Sequence, residues 1–79
     1  MAQVTIRYWA GAARAAERDE EQFEAETVGE LRAALGARPA LHKISIVASF
    51  LVDGQAAGEA TKLTAGAVVD VLPPFAGGC

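Results

Sequence analysis

Residues 27–36, TVGELRAALG, have the pattern of a capped amphipathic helix. The hydroxyl of Thr27 can accept a hydrogen bond from the backbone N–H of Glu30, and the Glu30 carboxylate can accept one from the N–H of Thr27 in return. Apolar side chains recur at the spacing of one helical face, namely Val28, Leu31 and Leu35. Gly36 can adopt a positive φ after the last turn. The sequence therefore predicts a helix over residues 28–35.

Two strands are predicted before this helix. Residues 4–9 alternate as in a strand with one buried face, and residues 22–25 alternate again. The side chains expected to face the core are Val4, Ile6, Tyr8, Phe23 and Ala25. The Ala-rich residues 10–16 lack a stripe of large apolar side chains, so we expect a connection with about one helical turn. The charged residues 17–21 are expected to form a solvated loop, or a mildly acidic surface for a basic partner.

The residues after the helix predict a hairpin. A short helical turn is expected at residues 41–44. The strongly apolar residues 46–52 predict a strand that is buried on much of both faces. Asp53 and Gly54 are typical of a type I′ turn. A short strand over residues 55–57 is expected to return from it.

A last strand is predicted over residues 67–72. Asp70 is expected to face outward, which turns its neighbours Val69 and Val71 inward. Pro73 and Pro74 end this strand because neither residue can donate a hydrogen bond to a ladder.

The order strand, strand, helix, strand, short strand, strand indicates an α+β domain. The compact arrangement places the last strand beside the first, in parallel, at the centre of a mixed sheet of about five strands packed on one main helix. This is the β-grasp, or ubiquitin-like, fold. We expect the domain to span residues 1–74 and residues 75–79 to form a flexible Gly-Gly tail, because these five residues cannot pack a core.

Composition excludes several functions. The chain has 79 residues, a net charge of -3 and no run of Lys or Arg, which disfavours a nucleic-acid partner. Neither a signal peptide nor a stretch of about 20 apolar residues is present, so we expect a cytoplasmic protein without a membrane segment. The single cysteine, Cys79, cannot form an internal disulfide or hold a metal by itself, and the single histidine, His42, has no catalytic partner nearby in sequence. No metal site is predicted.

Three segments resemble the small subunit of molybdopterin synthase, a family of sulfur carriers. They are residues 4–13, residues 27–35, and residues 51–54 together with residues 68–78. The most specific part is the ending LPPFAGG, residues 72–78. A Gly-Gly pair alone is weak evidence for this family. Here the pair follows a Pro-Pro pair, a terminal strand and a capped helix, which makes the resemblance more specific.

The resemblance implies a defined chemistry for the tail. An activating enzyme of the ubiquitin-E1 type would use ATP to adenylate the carboxylate of Gly78, and sulfur would then replace the adenylate to give a thiocarboxylate. The large subunit of molybdopterin synthase would receive this sulfur on a pterin precursor and carry out the catalysis. The small subunit would therefore bind no cofactor and would not be an enzyme. Gly77, Ala76 and Phe75 would line the path into the partner.

The residue types of the tail suit this chemistry. A carboxyl group that must reach two enzyme sites through a narrow approach is helped by glycine, which has no side chain and accepts any φ. The Pro73-Pro74 pair stiffens the root of the tail, so less entropy is lost on insertion. Activation is required because a free carboxylate is a poor electrophile.

Cys79 departs from the family pattern, which ends at the second glycine. With Cys79 attached, Gly78 has no free carboxylate to activate. Three explanations stay open: a metalloprotease removes Cys79, the residue was added for labelling or trapping, or its thiol takes part directly.

Docking residues are expected outside the core. Trp9, Phe50 and Phe75 are candidates. The place of Phe50 in the apolar run favours the core for it, whereas Trp9 is compatible with either a strand end or a contact surface. Rival functions also stay open. They are a sulfur carrier for thiazole or cysteine synthesis, a protein modifier that joins Gly78 to a lysine, and an interaction module with an inert tail.

Overall fold

The computed structural model describes residues 2–74. Its strands are β1 (Ala2–Tyr8), β2 (Glu20–Ala25), β3 (Ser49–Val52), β4 (Gln55–Ala56) and β5 (Val68–Leu72). Its helices are α1 (Gly11–Ala16), α2 (Val28–Gly36) and α3 (His42–Val47), with a 3₁₀ turn at Pro39–Leu41.

The strands form one sheet in the order β2-β1-β5-β3-β4. β1 and β5 pair in parallel at the centre, and the other pairs are antiparallel. The predicted mixed sheet with the last strand beside the first is confirmed. Asp53 and Gly54 have φ values of 51° and 84°, as the type I′ turn between β3 and β4 requires.

The core lies between the sheet and α2. The inward side chains of β1 and β5 follow the predicted alternation, and Val69 and Val71 are both fully buried. The side chains packed with them include Val4, Ile6, Tyr8, Val28, Leu31 and Leu35. Because β5 lies in the middle of the sheet and its inner face is covered by core side chains of α2 and of the neighbouring strands, Val69 and Val71 lose water contact completely.

The cap of α2 differs from the prediction in one contact. Thr27 Oγ1 accepts from the Glu30 N–H at 3.1 Å, as expected. Glu30 Oε1, however, accepts from the N–H of Glu26 at 2.9 Å and not from Thr27. The carboxylate thus reaches one residue further back.

Gly36 also has a different role from the one predicted. It is the last residue of α2 and is not among the positive-φ residues. A Cβ at this position would lie 2.9 Å from Ser45 Oγ in α3. Glycine is therefore suited to the close approach of the two helices, and not to a left-handed cap.

The prediction of a strand over residues 46–52 is wrong at its start. Ile46 and Val47 belong to α3, and the strand begins only at Ser49. Arg32 of α2 donates to the carbonyl oxygens of Ser45 at 2.6 Å and Ile46 at 3.4 Å, which satisfies acceptors at the end of α3. This tertiary contact favours the helix over the strand preference of β-branched residues.

Two connections are more ordered than predicted. Residues 11–16 form the six-residue helix α1, whose Ala12 is fully buried; small side chains let this helix lie close to the sheet. Residues 17–21 were predicted as a solvated loop, but Glu20 and Glu21 begin β2. Glu21 faces inward with only 11% of its side chain exposed.

Candidate partner-docking end of the sheet

The root of the tail is fixed at one end of the central strand. The Trp9 N–H donates to the carbonyl oxygen of Val71 at 3.2 Å, and Leu72 pairs with Ser49 of β3. Pro73 is buried beyond Leu72, whereas Pro74 is exposed. The chain therefore leaves the sheet between β1 and β3 from a held position.

The predicted tail residues lie outside the described residues. Phe75, Ala76, Gly77, Gly78 and Cys79 all follow the last described residue, Pro74. Their roles, and the domain boundary at residue 74, stay predictions.

Trp9 lies on the surface beside the root of the tail. Its side chain is 42% exposed, and its Nε1–H donates to Asp70 Oδ1 at 3.0 Å. Arg7 Nε lies 3.2 Å from the same Asp70 oxygen, and the Arg7 guanidinium lies 5.0 Å from the centre of the Trp9 ring. Asp70 thus orients both side chains. Trp9 is exposed as a docking residue would need to be.

Phe50 lies in the core. Only 2% of its surface is exposed, and the Arg32 guanidinium lies 4.6 Å from the ring centre. The structure therefore agrees with the core alternative for Phe50, and the ring offers no surface to a partner.

A second exposed apolar surface was missed by the sequence interpretation. Ile46 and Val47 are 62% and 54% exposed. They line an apolar groove together with Gly11, Lys43, Ile44, Pro73 and Pro74, which we call the α3 groove. The spacing of the buried Leu41, Ser45 and Ala48 could have indicated it, since i, i+4 and i+7 define one helical face and leave residues 46 and 47 outside.

An ionic cluster holds the end of β1 next to Trp9. Tyr8 donates its hydroxyl to Glu21 Oε1, and Arg38 donates to the two oxygens of Glu21 at 2.6 and 3.4 Å. Arg18 adds a contact of 3.2 Å to Glu21 Oε2. The cluster joins β1, β2 and the segment after α2.

The cluster shifts the pKa values of its members. Burial of the Glu21 carboxyl would raise its pKa, but the hydrogen bonds from Arg38 and Tyr8, with the charges of Arg38 and Arg18, bring that pKa below its ordinary value. Burial, reinforced by the hydrogen bond to Glu21, raises the pKa of the Tyr8 phenol. The hydrogen bond to Glu21 also raises the pKa of Arg38. Glu21 is therefore ionised and Tyr8 is neutral at pH 7.

Residues 2–74 contain no group of three or more His, Cys, Asp and Glu side chains placed to hold a metal ion. None of the helices described between residues 2 and 74 has the length and apolar character needed to cross a membrane.

One main helix, α2, packed on a mixed five-stranded sheet whose first and last strands pair in parallel at the centre defines the ubiquitin-like β-grasp class. The chain matches the ThiS family over residues 6–78 and belongs to that family. No curated protein sequence shows significant similarity to it.

Solved structures share the fold. A chain in the protein-protein complex of subunits 1 and 2 of the molybdopterin-converting factor from Helicobacter pylori is similar, at 25% identity and a TM-score of 0.76, with 96% of this chain and 99% of that chain covered. SAMP1 from Haloferax volcanii has 28% identity and a TM-score of 0.77, with coverage of 96% and 99%. Small archaeal modifier protein 1 from Methanosarcina acetivorans has 23% identity and a TM-score of 0.81, with coverage of 99% and 98%.

Proposed function

We propose that this chain is a sulfur carrier that gives its sulfur to molybdopterin, the organic part of the molybdenum cofactor. The observation that carries the proposal is the extent of the family match, which runs from residue 6 to residue 78 and so includes both Gly77 and Gly78. The held root at Pro73 supports it, because the tail then starts from a defined position.

The proposed cycle has two activation steps. A carboxylate oxygen of Gly78 attacks the α-phosphate of ATP on an E1-like enzyme, which releases pyrophosphate and leaves an acyl adenylate. Sulfide then attacks the acyl carbon and displaces AMP, which leaves a thiocarboxylate on Gly78. The carrier needs no cofactor of its own in this scheme. Because activation uses ATP, we propose the cytoplasm as its location.

The proposed acceptor is the large subunit of a molybdopterin synthase. The similar Helicobacter pylori protein is known in a complex of subunits 1 and 2 of the molybdopterin-converting factor, which supports a partner of this kind. Catalysis would then lie in the large subunit, with Gly77, Ala76 and Phe75 of the carrier lining the path of the tail.

Cys79 must be removed before activation in any chain that carries it, since Gly78 is otherwise held in a peptide bond. We propose that a metalloprotease performs this cleavage.

The intact mass of the protein from its native cells tests the proposal. We expect a species that ends at Gly78 with one oxygen replaced by sulfur. In reconstitution, a chain ending at Gly78 should acquire sulfur with the E1-like enzyme, ATP and sulfide, and should yield molybdopterin with the large subunit. A matched chain ending at Gly77 should not. A native protein that keeps Cys79 and never carries sulfur would refute the carrier role.

A protein modifier is the second candidate function. SAMP1 of Haloferax volcanii is a small archaeal modifier protein, and the similarity of this chain to it at 28% identity favours a modifier over an interaction module with an inert tail. In that case Gly78 would form isopeptide bonds with lysines of target proteins. Lysine-linked adducts in cells would support this role. Sulfur transfer to thiazole or cysteine synthesis would be recognised by its acceptor in the same reconstitution.

A further inference from the structure

The α3 groove, as defined above, has exposed apolar side chains that the fold itself does not require. The residues that α3 and its flanks bury are Leu41, Ser45 and Ala48. Ile46 and Val47 point away from this stripe and are more than half exposed. Two consecutive β-branched residues also lower helix propensity. The exposed apolar surface and the low helix propensity are both unfavourable for the stability of the isolated domain.

The position of the groove relates it to the tail. Pro73 and Pro74 form part of its wall, and residues 75–79 continue from Pro74. A protein that binds the residues after Pro74 would therefore approach the molecule on the side where Ile46 and Val47 are exposed. Contact there would bury apolar surface at the same time as the tail is inserted.

The charge of the groove is the reverse of that of the whole chain. The chain has a net charge of -3, but Lys43 is the one charged side chain among the lining residues. A complementary surface would present an apolar side chain to Ile46 and Val47 and a carboxylate to Lys43.

We propose that the α3 groove receives an apolar side chain of the sulfur-accepting large subunit, next to a carboxylate that pairs with Lys43. This inference rests on the proposed function and adds a second contact to the inserted tail. The surface around Trp9 differs from the α3 groove because the Trp9 side chain already has a hydrogen-bond partner within the domain, Asp70. The groove would hold the root of the tail while Gly78 delivers its sulfur.

Binding of the purified large subunit to the chain ending at Gly78 tests the proposal by calorimetry. The double variant Ile46→Ala/Val47→Ala should bind about tenfold more weakly or worse, because it removes two side chains that become buried. Ile46→Leu should bind like the parent chain, since it keeps the apolar volume. Circular dichroism would verify that each variant is folded.

Charge reversal gives a matched pair of variants. Lys43→Glu should weaken binding by about threefold to tenfold, an effect that shrinks at high salt. Lys62→Glu makes the same change of net charge at an exposed residue outside the groove and should leave binding unaltered.

The outcomes of these experiments distinguish a failure of the groove proposal from a failure of the proposed carrier function. If the parent chain binds and the double variant binds equally well, the groove proposal is wrong and the carrier role is unaffected. If the parent chain gains sulfur but does not bind the large subunit, the groove proposal fails and sulfur delivery to another pathway is favoured. If the parent chain neither gains sulfur nor binds, both proposals fail.

Discussion

β5 and α3 contain the same kinds of side chain in opposite surroundings. In β5, Val69 and Val71 are fully buried. In α3, Ile46 and Val47 are 62% and 54% exposed. β5 lies between β1 and β3, whereas α3 packs mainly on α2 by its other face. Neighbours in space, more than local apolarity, therefore decide which apolar residues form the core.

The two regions meet at Pro73, which follows β5 and lines the α3 groove. One region supplies stability and fixes the root of the tail. The other leaves apolar surface available where the tail begins. The comparison predicts that the same substitution has very different effects in the two regions.

Ile6→Ala should have the largest effect on folding. Ile6 is fully buried in β1 and is the register partner of Val69. Removal of its side chain leaves a cavity beside β5 and should lower the free energy of unfolding by about 2–5 kcal/mol. Urea unfolding followed by Trp9 fluorescence measures this. A loss below about 1 kcal/mol would mean that the centre of the sheet is packed loosely.

Glu21→Gln should have the next largest effect. At pH 7 the loss of charge-assisted hydrogen bonds to Arg38 should cost about 1–2 kcal/mol, a value reduced because the Arg38 side chain is 40% exposed. The folded-state pKa of Glu21 is lowered. The contribution of Glu21 to the free energy of unfolding is therefore fully present above its pKa in the unfolded chain, about 4.3, and is lost as the pH falls through its lower pKa in the folded protein.

The stability gap between Glu21→Gln and the parent chain should accordingly narrow in acid. Unfolding measured at pH 7 and again well below pH 4 checks the sign. Glu24→Gln is the matched control, since Glu24 lies on the exposed face of the same strand. A gap that is constant with pH would exclude ionised Glu21 as the source of the stabilisation.

The sequence predicted most of the fold because its strongest patterns are local. The alternation around Asp70, the Asp53-Gly54 turn and the Thr27 cap each involve residues close together in the chain. The helical assignment of Ile46 depends on Arg32, and the burial of Glu21 depends on Arg38, which is 17 residues away. Contacts at such separations cannot be read from periodicity.

The residues of the candidate site also differ in how far the sequence could predict them. Gly78 and its neighbours were assigned through the resemblance to a family, which the match over residues 6–78 supports. Trp9 was placed correctly on the outside. The α3 groove was missed because residues 46 and 47 were assigned to a buried strand, although their actual exposure follows from the helical spacing around Ser45.

Thr27→Ala should have a smaller effect on folding than Ile6→Ala or Glu21→Gln. The Thr27 hydroxyl accepts from the Glu30 N–H at the start of α2, and its removal should cost about 1 kcal/mol. Thermal unfolding of Thr27→Ala beside Thr64→Ala, an exposed threonine between β4 and β5, measures the contribution of the cap. Equal melting temperatures for the two variants would show that Glu30 and Glu26 hold the helix start without Thr27.

Ile46→Ala should have the smallest effect on folding, within about 0.5 kcal/mol of the parent chain. The side chain is 62% exposed, so little apolar surface returns to water when it is removed, and alanine has the higher helix propensity. Urea unfolding of this variant beside Ile6→Ala compares one substitution in both regions. If Ile46→Ala lost more than about 2 kcal/mol, Ile46 would be a core residue, and the α3 groove could not be a surface open to a partner.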